Sequence, residues 1–171
     1  SIAAETTAAM WSSKYLAGQS AQLAAFAGAG AAFFAGCQAV IRCFGDPLRR
    51  RFGDHRIITA SFALAACGFA VVALSDGYAV ALLGFALVGV GTGCVVPCCF
   101  AMVAQSAPHR AAAALGAAAL LAGAFRLPTP LYLGFMATVF SDAAAFAGIA
   151  AGLVGGLLLF IAARGALRQH G

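Results

Sequence analysis

Residues 78–105 read YAVALLGFALVGVGTGCVVPCCFAMVAQ, with no Asp, Glu, Lys, Arg or His. A helix needs about 20 mostly apolar residues to cross the hydrocarbon of a bilayer, and this run exceeds that. A β-barrel is the other way to satisfy every backbone group in lipid. It would alternate polar and apolar residues in segments of about ten. This run is instead continuous and rich in Ala, Leu and Gly, which predicts a helix. Five more apolar segments surround it, at 1–15, 22–44, 56–74, 111–140 and 143–163. The breaks between them are Ala17-Gly18-Gln19-Ser20, residues 45–55, Ser75-Asp76-Gly77, residues 106–110 and Ser141-Asp142. Such Gly, Pro and polar punctuation marks loops. None is long enough for a second, soluble domain, so residues 1–171 read as a single all-α membrane domain of six transmembrane helices.

The whole chain agrees with its central run. Of 171 residues, 63% are hydrophobic and 9% charged, and the mean hydropathy is +0.97. Soluble domains carry about 25% charged residues. Ten Lys and Arg with five Asp and Glu cannot coat a soluble surface of this size. That excludes a soluble enzyme, a disordered chain and a nucleic-acid-binding module. The net charge of +5 is a topology signal, because cytoplasmic loops collect Lys and Arg. Arg42, Arg49, Arg50, Arg51, Arg56, Arg110, Arg164 and Arg168 fall on one side, and Lys14, Asp76 and Asp142 on the other. This places the C-terminus in the cytoplasm and predicts an integral protein of a bacterial inner membrane.

The first segment is short. At 1.5 Å per residue it covers about 21 Å, against about 30 Å of hydrocarbon. Trp11 and Tyr15 read as an aromatic belt at its outer end. A fragment starting inside a membrane helix is expected, and no basic leader suggests a signal peptide. The cysteines, Cys37, Cys43, Cys67, Cys94, Cys98 and Cys99, all lie within apolar segments. They read as small apolar side chains rather than disulfides. Cys94 and Cys98 share a helix face but have no His or acidic neighbour in sequence, so no metal is expected. No cofactor is expected either. His55, His109 and His170 are isolated in loops, which argues against a membrane enzyme.

The loop between the second and third segments reads Gly45-Asp46-Pro47-Leu48-Arg49-Arg50-Arg51-Phe52-Gly53-Asp54-His55-Arg56. Pro47 either stops the preceding helix or starts a short one, and Asp46 is an anion among arginines. By itself this is an ordinary basic topology loop. Its spacing, however, resembles the signature loop of the major facilitator superfamily, Gly-x-Leu-x-Asp-Arg-Phe-Gly-Arg-Arg. Leu48, Arg51, Phe52 and Gly53 match, with Arg56 near the terminal basic pair, and Gly45-Asp46-Pro47-Leu48 with Arg51-Phe52-Gly53 fits the Gly-Asp-x-Leu and Arg-Phe-Gly form of some bacterial branches. Arg50 stands where the family has its inner Asp, and Asp54 and His55 where it has basic residues. The resemblance implies a loop that ties helices together on the cytoplasmic side, a latch left weaker here or carried by Asp46.

Other segments extend the resemblance. Gly84-Phe85, then Gly89, Gly91, Gly93 and Pro97, is similar to the family's tenth helix. Pro130 to Phe135 is similar to its eleventh, with Thr129 where Gly is usual, and Glu5 with Trp11-Ser12 to its seventh. The match implies the C-terminal half of a twelve-helix bundle, whose partners would be lipid, an N-terminal six-helix half and a small solute. Glycines four apart, at 89 and 93 and at 148, 152 and 156, permit close helix packing. Gly89 to Gly93 with Pro97 also allows a flexible gating helix.

Charges inside a membrane cost about 2.5–3.5 kcal/mol and should face a cavity or a partner. Glu5 and Arg126 are the two such groups, and Gln38 and Thr92 are weaker polar candidates for the same cavity. Pro128 and Pro130 beside Arg126 remove backbone donors and should kink its helix. Glu5 is the expected partner of Arg126. Two functional classes follow: a secondary transporter of which this chain is one half, and a truncated scaffold that transports nothing.

Overall fold

The computed structural model describes residues 1–19, 26 and 28–169, and for Gln19 and residues 164–169 only the backbone. The expected loop at Ser20, the start of the second segment at Gln22 and His170 lie outside the described residues, as do the side chains of Arg164 and Arg168. All regular structure among the described residues is helical. In chain order the elements are α1 (Ile2–Gln19), α2 (Ala29–Cys43), α3 (Gly45–Phe52), α4 (Asp54–Ala73), α5 (Tyr78–Gly93), α6 (Val95–Ser106), α7 (Ala111–Arg126), α8 (Pro128–Val139) and α9 (Asp142–Gln169). A 3-10 turn at Pro108–Arg110 precedes α7.

Four stretches are long and apolar enough to cross a membrane: Asp54–Ala73, Tyr78–Ser106, Pro108–Val139 and Asp142–Ala163. The chain is thus an all-helical protein with the helices of a membrane protein. The described part of the second segment, Ala29–Cys43, is apolar but shorter. α1 is long enough, yet Glu5, Lys14 and its Thr and Ser residues keep it out of that class. Two of the four long stretches are interrupted. One breaks at Cys94, between α5 and α6, three residues before Pro97; the other breaks at Leu127, before Pro128. A proline lacks the N–H that the helix needs one turn back, so both breaks follow from sequence. The loop at 45–56 is not an open turn. Pro47 lies in the first turn of α3, where its missing N–H costs nothing.

α4 lies between α5 and α9, and α2 packs along α5. Glycines make these approaches close. A Cβ on Gly89 would collide with the Phe34 carbonyl of α2, and one on Gly93 with Ile41. On other faces of α5, Gly91 meets the Ala65 backbone and Gly84 meets α4 at Val72 and Gly68. In α9 the stripe is uneven: Gly148 faces Tyr132 and Gly156 faces Phe62, while Gly152 has open space. Phe146 of α9 centres the core, with ring centroids 5.0 Å from Tyr15, 5.8 Å from Phe85 and 6.0 Å from Phe69. Each such pair adds about 0.5–1.5 kcal/mol beyond its contact area. The Tyr15 hydroxyl donates to the Val72 carbonyl at 2.9 Å, closing α1 onto the end of α4. Beside it, Trp11 Nε1 and Lys14 Nζ donate to Asp142 Oδ1 at 3.2 and 3.1 Å. The six cysteines are unpaired thiols. α7 buries none of its residues.

Candidate functional site

Three helices bring polar groups together near the arginine-rich end of the bundle. Gln38 and Arg42 are one helical turn apart on α2 and so share a face. Glu5 comes from the first turns of α1, and Thr92 and Gly93 end α5. Gln38 Nε2 donates to Thr92 Oγ1 at 3.3 Å, and Thr92, fully buried, donates onward to the Val88 carbonyl at 2.9 Å. Arg42 Nε donates to the Gly93 carbonyl at 3.2 Å. Its Nη2 lies 3.8 Å from Glu5 Oε2, an ion pair but a loose one. The other Glu5 oxygen, Oε1, is buried and accepts no hydrogen bond.

The Gly93 carbonyl explains why an arginine belongs here. In a continuous helix it would accept from the N–H at position 97, and Pro97 has none. Arg42 supplies the missing donor. A buried acceptor left bare costs about 1–3 kcal/mol, so the guanidinium offsets part of its own desolvation by serving the break. Arg42 is thus held by a carbonyl on one side and a carboxylate on the other.

Three of the four expected cavity residues, Glu5, Gln38 and Thr92, therefore meet in one polar cluster around Arg42. The fourth, Arg126, lies outside the hydrogen-bond and ion-pair contacts of that cluster, but near enough for its charge to act on Glu5. Its side chain is exposed on a cleft of about 740 Å³ that also touches Thr6 and Met10 of α1, Ala124 and Pro130. Arg126 forms no ion pair among the described residues. The partner of Glu5 is Arg42, which sequence reading had assigned to topology alone. Pro128 and Pro130 leave the Ala124 and Arg126 carbonyls without their helical donors, and both residues line that cleft.

The loop at 45–56 is built around a different pair than expected. Arg49 Nε donates to Asp54 Oδ1 at 2.6 Å and Nη2 to Oδ2 at 3.3 Å, a fork-to-carboxylate contact. Asp46 is a looser partner of Arg49, at 3.7 Å, and is mostly exposed. Donating to the Asp54 carboxylate raises the Arg49 pKa above the ordinary arginine value. Gly53 makes the pair possible: its φ of 80° is the one positive value among the described residues, and it turns the chain so that residues 49 and 54 meet. Leu48 packs against a small core of Ile57, Ile58, Cys94 and Cys98. Gly45 is buried with Cys94 Sγ 3.6 Å from where a Cβ would sit. Arg51 lies 5.4 Å over the Phe52 ring, and Arg56 is exposed. The ion pair missed in the sequence is Arg49 with Asp54. Its cue was opposite charges on either side of a glycine.

Among the described residues no group of three or more His, Cys, Asp and Glu side chains could hold a metal ion. No family model matches this chain, and no curated protein or solved structure shows significant similarity to it.

Proposed function

We propose that this chain is the C-terminal six-helix half of a major facilitator superfamily carrier, moving a small solute by alternating access. The observation that carries the reading is the meeting of Glu5, Gln38, Arg42 and Thr92 inside apolar helices, where α5 breaks at Cys94. Carriers place solute sites at interrupted helices between their two halves. Polar groups in lipid are costly enough to mark function by default. The loose Glu5–Arg42 pair and the bare Glu5 oxygen are acceptor and donor capacity that a solute could take up.

On this reading α1, α2, α4, α5–α6, α7–α8 and α9 are the six spans. The arginine-rich end carrying α3 faces the cytoplasm, in a bacterial inner membrane with the C-terminus inside. Arg49 and Asp54 form the inner latch. The cleft between α1 and α7–α8, with Arg126 on its wall, faces the N-terminal half. An α7 that buries nothing within this chain supports that placement.

The test is uptake of a labelled solute panel into vesicles holding this chain joined to its N-terminal half. The reading expects at least one solute to accumulate, and that uptake to be lost in Arg42→Ala. Vesicles with the 171-residue chain alone should accumulate nothing. Uptake by the isolated chain, or none by the joined protein across the panel, counts against it.

A further inference from the structure

We infer that the groove beside α3 binds an anionic phospholipid, with one acyl chain along the groove and the phosphate at its mouth on Arg56. This does not rest on the transport reading. The groove encloses about 270 Å³ among α2, α3, α4 and α5, and its walls include Ile41, Leu48, Phe52, Ile57 and Val90. The sole charged residue on those walls is Arg56.

The groove has the polarity order of a lipid. Arg56, Ala60 and Leu64 all line it and follow one another by four residues on α4, so they stack on one helix face. The cation is in the first turn, and the apolar pair runs inward over about 12 Å. That is the order of phosphate over hydrocarbon. Water would find few partners on walls so apolar, and a folded protein partner would have to bring its own acid to the mouth.

The arginines of this end divide into two groups. Arg42 and Arg49 hold carboxylates within the protein. Arg50, Arg51 and Arg56 are exposed and form no ion pair among the described residues. Of these Arg56 lines the groove, and Arg51 lies over the ring of Phe52, a groove wall. An unpaired guanidinium on the wall of an apolar slot, with a second beside that wall, selects an anionic headgroup on a chain. Basic residues at a membrane surface bind anionic lipid in this way.

The experiment uses the purified 171-residue chain in detergent, with bound lipid counted by native mass spectrometry. Phosphatidylglycerol should be retained over phosphatidylcholine by about fivefold or more. Arg51→Gln with Arg56→Gln should bring the two to near parity with an unchanged melting temperature. Arg50→Gln, which leaves the groove untouched, should keep the preference. Ala60→Phe, at an exposed wall position, should fill the slot and lower retention of both lipids. Glycerol phosphate, the headgroup without its chain, should not compete. Should the double variant fail to fold, Ala60→Phe and the glycerol phosphate competition decide alone. Equal retention of the two lipids overturns the proposal. So does a preference that survives the double variant, effective competition by glycerol phosphate, or a dimer of the chain that excludes lipid.

Discussion

Arg42 donates from Nε to the carbonyl of Gly93 at 3.2 Å, the carbonyl that Pro97 deprives of its helical donor. One proline thus sets the role of an arginine on a neighbouring helix. The same guanidinium holds Glu5, so the break in α5–α6 and the ion pair are one unit. A change in either should be felt by the other.

That coupling is measurable as a double-mutant cycle. Pro97→Ala restores the N–H and gives the Gly93 carbonyl a partner within its own helix. Arg42→Gln should then cost less in the Pro97→Ala background than in the native chain, by about 0.5–3 kcal/mol. Unfolding of the purified chain in mild detergent supplies the four values. Strict additivity would show that the proline and the arginine act separately.

The Glu5–Arg42 pair should behave as buried charge does. Removing one partner strands the other, at a cost of up to about 3–5 kcal/mol, whereas removing both can be neutral. Side-chain exposure of 48% for Arg42 and 21% for Glu5 puts the expected single losses well below that ceiling. Glu5→Gln and Arg42→Gln should each lower the melting temperature, and the double variant should be no less stable than Arg42→Gln, whose lost donor to the Gly93 carbonyl the second change cannot restore. A double variant less stable than Arg42→Gln would contradict the pairing.

The turn at Gly53 makes a third case. Its φ of 80° with ψ of 149° is backbone essentially confined to glycine, so Gly53→Ala should cost about 1–3 kcal/mol. Arg49→Ala removes a hydrogen bond between charged groups and should cost about 1.5–3 kcal/mol. Both should loosen the same turn, so protease cleavage within residues 45–56 should rise in each variant. Cleavage that rises in one alone would mean that the turn and the pair are independent.

Much of this was legible in the sequence, and the gaps have physical causes. Helix positions follow from apolar run length, so the described residues of each segment are helical apart from its ends and from the breaks at Cys94 and Leu127, which lie where prolines remove donors. The short helix α3 was one of two readings of Pro47, since a proline can end one helix or begin the next. Glu5, Gln38 and Thr92 were found because polar groups in apolar runs are conspicuous. Arg42 was not, because it sits one residue before the end of α2 and reads as a topology charge. The expected Glu5–Arg126 pairing does join neighbouring helices, since the Arg126 cleft reaches α1 at Thr6 and Met10. The closer partner, Arg42, is set by how the glycines of α5 draw α2 against it, and that packing cannot be read from position along a helix.

Those glycines give a fourth prediction with its own control. Gly89→Ala would drive a Cβ into the backbone carbonyl of Phe34, which cannot swing away, so α2 must move off α5. A loss of about 1–3 kcal/mol is expected for such overpacking. Gly116 of α7 has nothing within 4 Å of a would-be Cβ. Gly116→Ala should therefore be neutral or stabilise by up to about 1 kcal/mol. Thermal unfolding of the two variants side by side distinguishes a packing glycine from a permissive one. Equal effects would remove the argument for a close α2–α5 seam.

On the proposed function Arg42 and Glu5 are the working groups of a solute site rather than a structural pin. The most direct test is initial uptake by the joined protein in vesicles, with Arg42→Lys and Glu5→Gln compared at matched insertion and the melting temperature of each measured alongside. Lys keeps the charge but not the planar fork of donors, so a pin would tolerate it better than a site would. A working site gives at least about tenfold slower uptake in each variant, or about 1.4 kcal/mol of barrier, with melting temperature near that of the native protein for Arg42→Lys. Native uptake by Arg42→Lys, or loss that follows melting temperature alone in both variants, would contradict it.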